Sequence, residues 1–474
     1  MPDAESLAQA RRGYVAAAAG CGKTQLISEA VASHPTGRQL VLTHTHAGVD
    51  ALRARLERLG ARLGGYSVQT IAGFSLSYAS AFPRASSLAS AKPKSQDEWK
   101  SVYSGLAAVL KLPAVQKVIK SSYAGLYVDE YQDCTKAQHG LMMSVADLLP
   151  TRVLGDPLQG IFDFGDNDPV DWEADVKEKF QSVCSPDEPR RWAGKNEVLG
   201  AWLKQVRTSL INGQPIDLRH AAVRFVDTSR SVNPLLAVGV CQEVASQNPD
   251  DTVVAIHHRP QQCHWVANKL NGRYSCIEPI ESGELLKFAE SLASGNGAQK
   301  ASAAIEFAGK CMTVAAPMLR GAQKTILKGG KPRSTKAELA GPLAALDRVV
   351  STNDLVNVAA ALEVMKEMPK AVIYRRELLD ESLRALREYD PAKHQSVADA
   401  FWAVRNRTRQ MGRRIPRCSV GRTLLIKGLE FDHAVILDAD ALSAKDLYVA
   451  LTRGCKSLTI LGKSPVVQFA AIAA

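Results

Sequence analysis

The stretch Ala17-Ala18-Ala19-Gly20-Cys21-Gly22-Lys23-Thr24 decides how the first part of the chain folds. An apolar run from Tyr14 to Ala19 leads into it, and an amphipathic helical pattern follows it. A phosphate-binding loop requires this context, with a strand before the loop and a helix after it. Gly20 and Gly22 let the backbone curl so that its N–H groups point at phosphate oxygens, and the new helix adds its positive N-terminal end. The stretch therefore predicts a nucleotide site in a domain of α/β type.

Two side chains of this loop predict its chemistry. Lys23 would reach the β- and γ-phosphates, and the Thr24 hydroxyl would be a ligand of Mg²⁺. Ala17 stands where the general pattern has Gly. A turn with a purely structural purpose is the alternative interpretation, but the order Gly-x-Gly-Lys-Thr between a strand and a helix disfavours it.

Residues 1–185 alternate short apolar runs with amphipathic helical patterns, which is typical of a parallel sheet covered by helices on both faces. The predicted strands of this first domain are Tyr14–Ala19, Gln39–Thr43, Leu126–Val128 and Arg152–Leu154.

Residues 186–278 repeat this alternation, with predicted strands at Ala222–Val226 and Thr252–His257. From 279 to 415 the strand-like runs vanish and helical patterns dominate, so we expect a mostly helical insertion. Residues 416–474 complete the second α/β domain, with predicted strands at Thr423–Ile426, Ala434–Leu437 and Ser457–Leu461.

Composition excludes several classes of protein. The 474 residues include nine cysteines, an odd number without any C-x-x-C pair, which indicates neither a zinc site nor a disulfide framework. No stretch of apolar residues is long enough to span a membrane, so we expect no membrane partner and a cytoplasmic location. The net charge of +11 makes a polyanion a reasonable partner.

A second motif begins where another apolar run, Gly125 to Val128, meets Asp129-Glu130-Tyr131-Gln132-Asp133. Nucleoside triphosphatases use acids at a strand end to hold the metal and to activate water. Asp129 would bind Mg²⁺ and Glu130 would accept the proton of the attacking water. Acids at a strand end are more often solvated turn residues or helix caps, but together with the phosphate loop the catalytic interpretation is favoured.

The sequence Asp129-Glu130-Tyr131-Gln132-Asp133 resembles the D-E-x-Q-D motif of the UvrD/Rep-like superfamily 1 DNA helicases. Stretches similar to the companion motifs of that family follow in the family's order: Leu42–Ala47 (motif Ia), Thr70–Ser75 (the next, weaker match), Gly155–Phe162 (motif III), Pro189–Trp192 (a degenerate motif IV), Lys427–Asp432 (motif V) and Leu447–Arg453 (motif VI).

This resemblance implies two RecA-like P-loop domains. Residues 1–185 would form domain 1A, and residues 186–278 together with 416–474 would form domain 2A. Residues 279–415 would occupy the position of the 2B insertion.

The resemblance also assigns roles to single residues. Gln159 would sense the γ-phosphate, Arg453 would be the arginine finger, and Arg191 would touch the γ-phosphate from motif IV, with Arg190 as the alternative. The implied catalytic residues are Lys23, Asp129, Glu130, Gln159, Arg191 and Arg453. The implied nucleotide-binding residues are Gly20, Cys21, Gly22, Lys23, Thr24, Gln25 and Glu430, with Thr24 and Asp129 as metal ligands. The implied DNA-binding residues are Thr43, His44, Thr45, Thr70, Phe162, Phe164 and Lys427.

By the same resemblance the chain is expected to be an ATP-dependent and Mg²⁺-dependent translocase or helicase. Its partner would be single-stranded or partly duplex DNA, and its polarity 3′ to 5′. The alternative is a DNA-sensing regulatory ATPase subunit that gates a protein partner, such as a nuclease in an antiphage defence assembly. The short interval between Ser75 and Asp129, which leaves little room for an accessory domain, and the lack of a nuclease motif prompt this alternative. A nucleotide-binding protein without a nucleic-acid role, such as a small-molecule kinase, is disfavoured by the matches to motifs V and VI.

Overall fold

The computed structural model describes the chain apart from residues 1, 34–36, 89–92, 94–95, 162–167, 230–232, 234, 280–282, 412–414 and 473–474. The described residues form two units. Unit 1 consists of Met1–Phe225, Leu442–Ser457 and Ser464–Ala474, and unit 2 consists of Val226–Ala441 and Leu458–Lys463.

The strands are short, as is usual for sheets between helices. In chain order they are β1 (Arg12–Ala16), β2 (Gln39–Thr43), β3 (Tyr66–Thr70), β4 (Gly125–Val128), β5 (Thr151–Gly155), β6 (Gln181–Cys184), β7 (Ile216–Asp217), β8 (Arg224–Asp227), β9 (Val253–Ile256), β10 (Ser275–Cys276), β11 (Cys418–Gly421), β12 (Phe431–Ile436), β13 (Gly454–Gly462) and β14 (Val466–Val467).

The α-helices alternate with the strands, except in one long helical segment. In chain order they are α1 (Pro2–Gln9), α2 (Lys23–Ser33), α3 (His46–Arg58), α4 (Ile71–Ala81), α5 (Pro83–Ser86), α6 (Gln96–Val109), α7 (Pro113–Ser122), α8 (Lys136–Ala146), α9 (Glu197–Asn212), α10 (Leu236–Gln247), α11 (Pro260–Lys269), α12 (Gly283–Ser294), α13 (Gly297–Cys311), α14 (Ala315–Leu327), α15 (Ala337–Thr352), α16 (Leu355–Lys366), α17 (Arg376–Glu388), α18 (Val397–Met411), α19 (Thr423–Ile426) and α20 (Ala444–Leu451).

Unit 1 is built on a sheet with the strand order β3-β2-β4-β5-β1-β6. Every neighbouring pair in this sheet is parallel. All residues of β2, β4 and β5 are buried, as is typical of the inner strands of a parallel sheet. Because the strands are parallel, their carboxyl ends share one edge of the sheet, and the loops after β1, β4 and β5 leave from neighbouring positions.

The second sheet has the strand order β10-β11-β9-β12-β13-β8. The pairs β10–β11, β11–β9 and β9–β12 are parallel. Between β10 and β11 the chain forms α12 to α18, which bury an apolar core of their own around residues such as Phe288, Leu346 and Leu362. The prediction of two α/β domains with parallel sheets, the second interrupted by a helical insertion, is confirmed.

One predicted strand is wrong. Thr423–Ile426 forms the short helix α19, and the strand in this region is β11, which ends just before it. The Leu425 and Ile426 N–H groups both bond to the Arg422 carbonyl, which closes a helical turn. The three apolar residues after Thr423 do not distinguish a strand from a buried helical turn, because the run is too short to show a period.

The two units do not coincide with the predicted domains, whose boundaries at residues 185 and 416 stay predictions. The segment after residue 185 stays with unit 1 up to Phe225, and the motif VI helix α20 belongs to unit 1 as well. Specific contacts explain this: the Trp192 indole donates to the Gly454 carbonyl over 2.8 Å, and the Asn196 amide donates to the Lys456 carbonyl over 2.8 Å. Strands β7 and β14 also pair with each other in antiparallel orientation.

Among the described residues, no single helix is both long and apolar enough to cross a membrane. Residues Asp97–Val109 of α6 and Pro113–Ser122 of α7 meet the criteria of length and composition only as a pair, which is bent by 94°.

A buried ion pair joins the helical segment to the second sheet within unit 2. Arg375, which directly precedes α17, donates from Nε and Nη2 to the two carboxylate oxygens of Glu278, each over 2.7 Å. Both side chains are buried. A bidentate pair of this kind fixes an orientation, and each partner depends on the other because neither charge is hydrated.

We expect Glu278→Ala to lower the free energy of unfolding by about 3–5 kcal/mol, because it leaves the Arg375 guanidinium buried without its counter-charge. Urea unfolding followed by circular dichroism measures this change. The matched control is Lys331→Ala, which removes an exposed pair with Asp347 and should leave the unfolding midpoint almost unchanged. Equal midpoints for the wild-type protein and Glu278→Ala would contradict the prediction.

Candidate active site

The loop between β1 and α2 has the backbone conformation that phosphate binding requires. Gly20 and Gly22 have φ values of +74° and +84°, in the left-handed region where glycine carries no steric penalty. Gly20 is also crowded: a Cβ atom there would lie 2.6 Å from Cζ3 of Trp192 and 2.8 Å from Cβ of Arg191. The sequence Gly-x-Gly is therefore needed for both conformation and space.

Lys23 is the first residue of α2 and lies against its own loop. Its ammonium donates to the carbonyls of Ala17 and Ala18 over 2.7 and 3.1 Å. The side chain is only 7% exposed. Lys23 thus places a buried positive charge at the carboxyl end of β1, beside the amides of the loop.

Thr24 and Asp129 are in direct contact, although they are far apart in sequence. The Thr24 hydroxyl donates to Oδ2 of Asp129 over 2.8 Å. Asp129 follows β4 and is buried, and burial together with the charge of Glu130 raises its pKa to about 6 against the opposing effects of Thr24 and Lys23. A hydroxyl and a carboxylate at this separation are the oxygen ligands that Mg²⁺ prefers, so the pair fits a magnesium–nucleotide complex.

Glu130 is held by Gln132, the fourth residue of the D-E-x-Q-D sequence. Glu130 has a φ of +56°, which is uncommon for a non-glycine residue and typical of functional sites. The side-chain nitrogen Nε2 of Gln132 donates to Oε2 of Glu130 over 2.6 Å. The side-chain oxygen Oε1 of Gln132 accepts from the Asp156 N–H over 3.0 Å. Gln132 therefore connects the strand end of β4 to that of β5.

Asp156 follows β5 and is completely buried. Its Oδ2 accepts from the Gln159 amide over 3.0 Å and from the Tyr448 hydroxyl over 3.1 Å. Oε1 of Gln159 in turn lies 3.4 Å from Nη2 of Arg453. The structure thus brings Gln159 and Arg453 together, and their action on one phosphate stays a prediction.

Arg453 follows the last turn of α20 and is 1% exposed. Its Nε donates to the Val449 carbonyl over 2.8 Å, and its Nη2 donates to the Thr452 hydroxyl over 2.8 Å. The Tyr448 hydroxyl accepts from the Ala19 N–H over 3.1 Å, so α20 contacts the phosphate loop directly.

Both motif IV candidates lie beside the phosphate loop. The Arg191 N–H donates to the Gly20 carbonyl over 3.1 Å, and its guanidinium donates to the Thr452 carbonyl over 2.8 Å. The Arg190 guanidinium is more exposed and lies 3.9 Å from the Glu29 carboxylate. These contacts place Arg191 between the loop and the end of α20.

The remaining nucleotide candidates occupy different positions. Cys21 is buried between the two loop glycines, and burial raises the pKa of its thiol. The Gln25 amide donates to the Glu29 carboxylate within α2 over 3.0 Å. Glu430 lies in unit 2, immediately before β12, and its side chain is exposed.

The DNA-binding candidates of unit 1 gather at the carboxyl ends of β2 and β3. Thr43 and Thr70 are paired neighbours in the sheet. Thr45 and Thr70 accept hydrogen bonds from N–H groups in the first turns of α3 and α4, so they cap these helices. His44 lies with its Nε2 atom 3.5 Å from Sγ of Cys134. Their predicted contact with DNA stays a prediction.

The other predicted DNA contacts lie elsewhere in the chain. Lys427 directly follows α19 in unit 2. Phe162 and Phe164 lie outside the described residues.

Sequence reasoning assigned no role to Gln132, Asp156 or Tyr448, although all three lie in the quoted motifs. A polar residue immediately after an apolar strand was the available signal for Asp156. Tyr448 lies in an apolar stretch of helix and gives no such signal, because a buried tyrosine is usually part of a core.

No family model matches this sequence, and no curated protein matches it. Among solved structures, it is similar to a complex of arterivirus nonstructural protein 10, a helicase, with DNA: the TM-score is 0.36, the identity is 10%, and the match covers 97% of this chain and 62% of the viral chain. The same viral helicase without DNA gives a TM-score of 0.35 at 10% identity, covering 97% of this chain and 61% of the viral chain. This chain thus spans less than two thirds of the viral protein, and a likeness of this degree carries no functional assignment.

A control variant separates the effect of crowding at Gly20 from the effect of its backbone conformation. We expect Gly20→Ala to lower the melting temperature and to abolish binding of a fluorescent ATP analogue, because the new methyl group would collide with Trp192 and Arg191. The matched control is Gly194→Ala, since Gly194 has a similar φ of +69° but nothing within 4 Å of the added atom. Binding by Gly20→Ala as tight as by Gly194→Ala would contradict the steric argument.

The raised pKa of Asp129 predicts a pH-dependent change in stability. The native protein holds a proton on Asp129 up to about pH 6, whereas the unfolded chain releases it near the ordinary aspartate pKa of 3.8. The stabilisation from this proton is therefore complete below pH 3.8 and is lost as the pH rises through about 6.

We therefore expect Asp129→Asn, which cannot ionise, to raise the free energy of unfolding at pH 8 by about 2–3 kcal/mol while changing it little at about pH 4. Urea unfolding in EDTA without nucleotide measures both values. An equal change at the two pH values would show that ionisation of Asp129 does not cause the effect.

Proposed function

We propose that this chain is an ATP-hydrolysing motor that moves along single-stranded DNA, a helicase of the UvrD/Rep type with 3′-to-5′ polarity. The observation that carries the proposal is the continuous set of hydrogen bonds in unit 1. It runs from Glu130 through Gln132 and Asp156 to Gln159 and Arg453. Such a connection between the residues expected to activate water and those expected to contact the γ-phosphate suits an enzyme that couples hydrolysis to movement.

The residues of the loop have the properties needed to bind a triphosphate. The amides around Gly20 and Gly22 and the N-terminus of α2 favour phosphate oxygens. Lys23 exchanges the carbonyls of its own loop for phosphate oxygens. Thr24 and Asp129 would hold Mg²⁺, which would neutralise part of the phosphate charge.

The hydrolytic step uses the acid at the end of β4 and the arginine after α20. Glu130, oriented by Gln132, accepts a proton from the attacking water. Arg453, in contact with Gln159, stabilises the negative charge that develops on the transferred phosphoryl group. Because Arg453 is buried, its charge acts in a medium of low polarity, where this stabilisation is stronger than in water.

Nucleic acid is the polymer along which the enzyme is expected to move, for two reasons. Thr43, His44, Thr45 and Thr70 lie at the same sheet edge as Asp129, so a strand that contacts them lies close to the hydrolytic residues. The net charge of +11 favours a polyanion. These observations support movement on DNA as a proposal.

The compact helical connection between β3 and β4 favours a second candidate function. In the described residues it contains only α4 to α7, from Ile71 to Ser122. A motor with few accessory elements suits a DNA-sensing ATPase that regulates a protein partner, such as a nuclease in an antiphage defence assembly. Strand separation distinguishes the two functions.

We expect single-stranded DNA to stimulate ATP hydrolysis by the wild-type protein, and we expect Lys23→Ala to reduce the stimulated rate by about 100-fold or more, because it removes a charge from the transition state. The control is Lys136→Ala, which removes an exposed lysine paired with Asp168 and should keep the wild-type rate. A DNA-stimulated rate that survives Lys23→Ala would disprove the site.

The same preparation decides between the two functions. A helicase with 3′-to-5′ polarity unwinds a duplex with a 3′ single-stranded tail and not one with a 5′ tail. Stimulated hydrolysis without unwinding of either duplex would favour the regulatory ATPase.

A further inference from the structure

Asp156 connects the end of β5 to α20 and, through α20, to the phosphate loop. Its Oδ2 accepts from Gln159 and Tyr448, and its Oδ1 accepts from the Leu158 N–H over 3.3 Å. Through Tyr448 it is connected to the Ala19 amide of the phosphate loop. All of these hydrogen bonds require the carboxylate to act as an acceptor.

A buried carboxylate needs a positive charge nearby, and Arg207 supplies it. Arg207 lies on α9, with Nη2 3.5 Å from Oδ1 of Asp156. Among the residues that the structure describes, it is the only cationic side chain within 4.0 Å of Asp156. Burial alone would lower the pKa of Arg207, but Asp156 together with Tyr448 and Cys21 raises this pKa above its ordinary value.

The position of Arg207 is unusual for an arginine with a purely structural role. Its Nε atom is buried and makes no hydrogen bond within the described residues. Only one of its nitrogens approaches Asp156 closely, in contrast to the bidentate Arg375–Glu278 pair. Arg207 therefore contributes its charge more than a fixed geometry.

We propose that Arg207 is a positioning residue for ATP hydrolysis: its charge keeps Asp156 an acceptor, so that Tyr448 stays bound to the phosphate loop and Gln159 stays beside Arg453. This inference rests on the proposed function, which it deepens by naming a residue outside the motifs of the family. Arg207 acts through Asp156 and not on the nucleotide.

The physical reason lies in what a carboxyl group does without its counter-charge. A buried carboxylate without a counter-charge is costly, so the groups around it rearrange to bring it other donors. The titratable and charged groups that interact with Asp156 are Arg207 from α9, Tyr448 from α20 and Cys21 from the phosphate loop. Without Arg207, the Asp156 carboxylate would hold the Tyr448 hydroxyl less firmly, and the contact of this hydroxyl with the Ala19 amide would weaken.

The test compares Arg207→Met, which removes the charge, with Arg207→Lys, which keeps it. The first readout is hydrogen–deuterium exchange followed by mass spectrometry, on peptides that cover the phosphate loop and α20. We expect Arg207→Met to speed exchange in both peptides by about 10-fold or more, because the Ala19 amide loses its partner, and Arg207→Lys to stay close to wild type. The control is Lys204→Met, on the same helix, where Lys204 pairs with Asp187 at the surface.

The second readout is steady-state ATP hydrolysis in the presence of single-stranded DNA. We expect Arg207→Met to lower kcat by about 10-fold or more with KM for ATP within about threefold of wild type, because Gln159 and Arg453 are displaced while the residues that hold the phosphates remain. Arg207→Lys should recover most of kcat.

Wild-type exchange in Arg207→Met would overturn the inference, and so would equal damage in Arg207→Met and Arg207→Lys, since shape and not charge would then matter. If Arg207→Met does not fold, Arg207→Gln takes its place in both measurements. If the wild-type protein does not hydrolyse ATP, the proposed function fails, and hydrogen exchange still decides whether Arg207 holds Tyr448 on the phosphate loop.

Discussion

The Tyr448 hydroxyl forms the joint on which the geometry of unit 1 depends. It accepts a hydrogen bond from the Ala19 amide and donates one to Asp156, and it is almost completely buried. One hydroxyl group thus connects a helix near the end of the chain to a loop near its beginning. Because α20 is held there, Arg453 reaches Gln159, and residues 442–457 belong to the same unit as the phosphate loop.

This joint is possible because the sheet is parallel. In the order β4-β5-β1, the carboxyl ends of three strands lie side by side, and they deliver Asp129, Asp156 and the glycine loop to one edge. The arrangement buries Lys23, Asp129, Asp156 and Arg453 close together, which costs stability that an apolar core would not cost. Charges that lower the stability of the substrate-free protein are typical of catalytic sites, because the same charges act on the substrate when it binds.

Local sequence predicted the parts of the site that lie in one continuous stretch. The phosphate loop and the strand-end acids could be recognised because their spacing follows from the geometry of a strand and a helix. The role of Arg207 could not, because its partner Asp156 lies on another element and only the folded chain brings them together. Strand β3 could not be predicted either, because its burial is mixed along its length and no clear period results. The error at Thr423–Ile426 has the same origin, an apolar run too short to show a period.

Buried charges occur in both units, and their geometry distinguishes two kinds. In unit 2, Arg375 binds Glu278 through two hydrogen bonds of 2.7 Å, and Arg405 lies 2.8 Å from Glu381, so these pairs fix α17 and α18 in one arrangement. In unit 1, the partly exposed Arg207 and the buried Arg453 approach their partners Asp156 and Gln159 at 3.5 and 3.4 Å. Short bidentate pairs resist rearrangement, whereas longer single contacts can be exchanged for others at little cost. The long contact between Arg453 and Gln159 therefore suits an arginine that exchanges this partner when a phosphate group enters or leaves the site, whereas the charge of Arg207 stays beside Asp156.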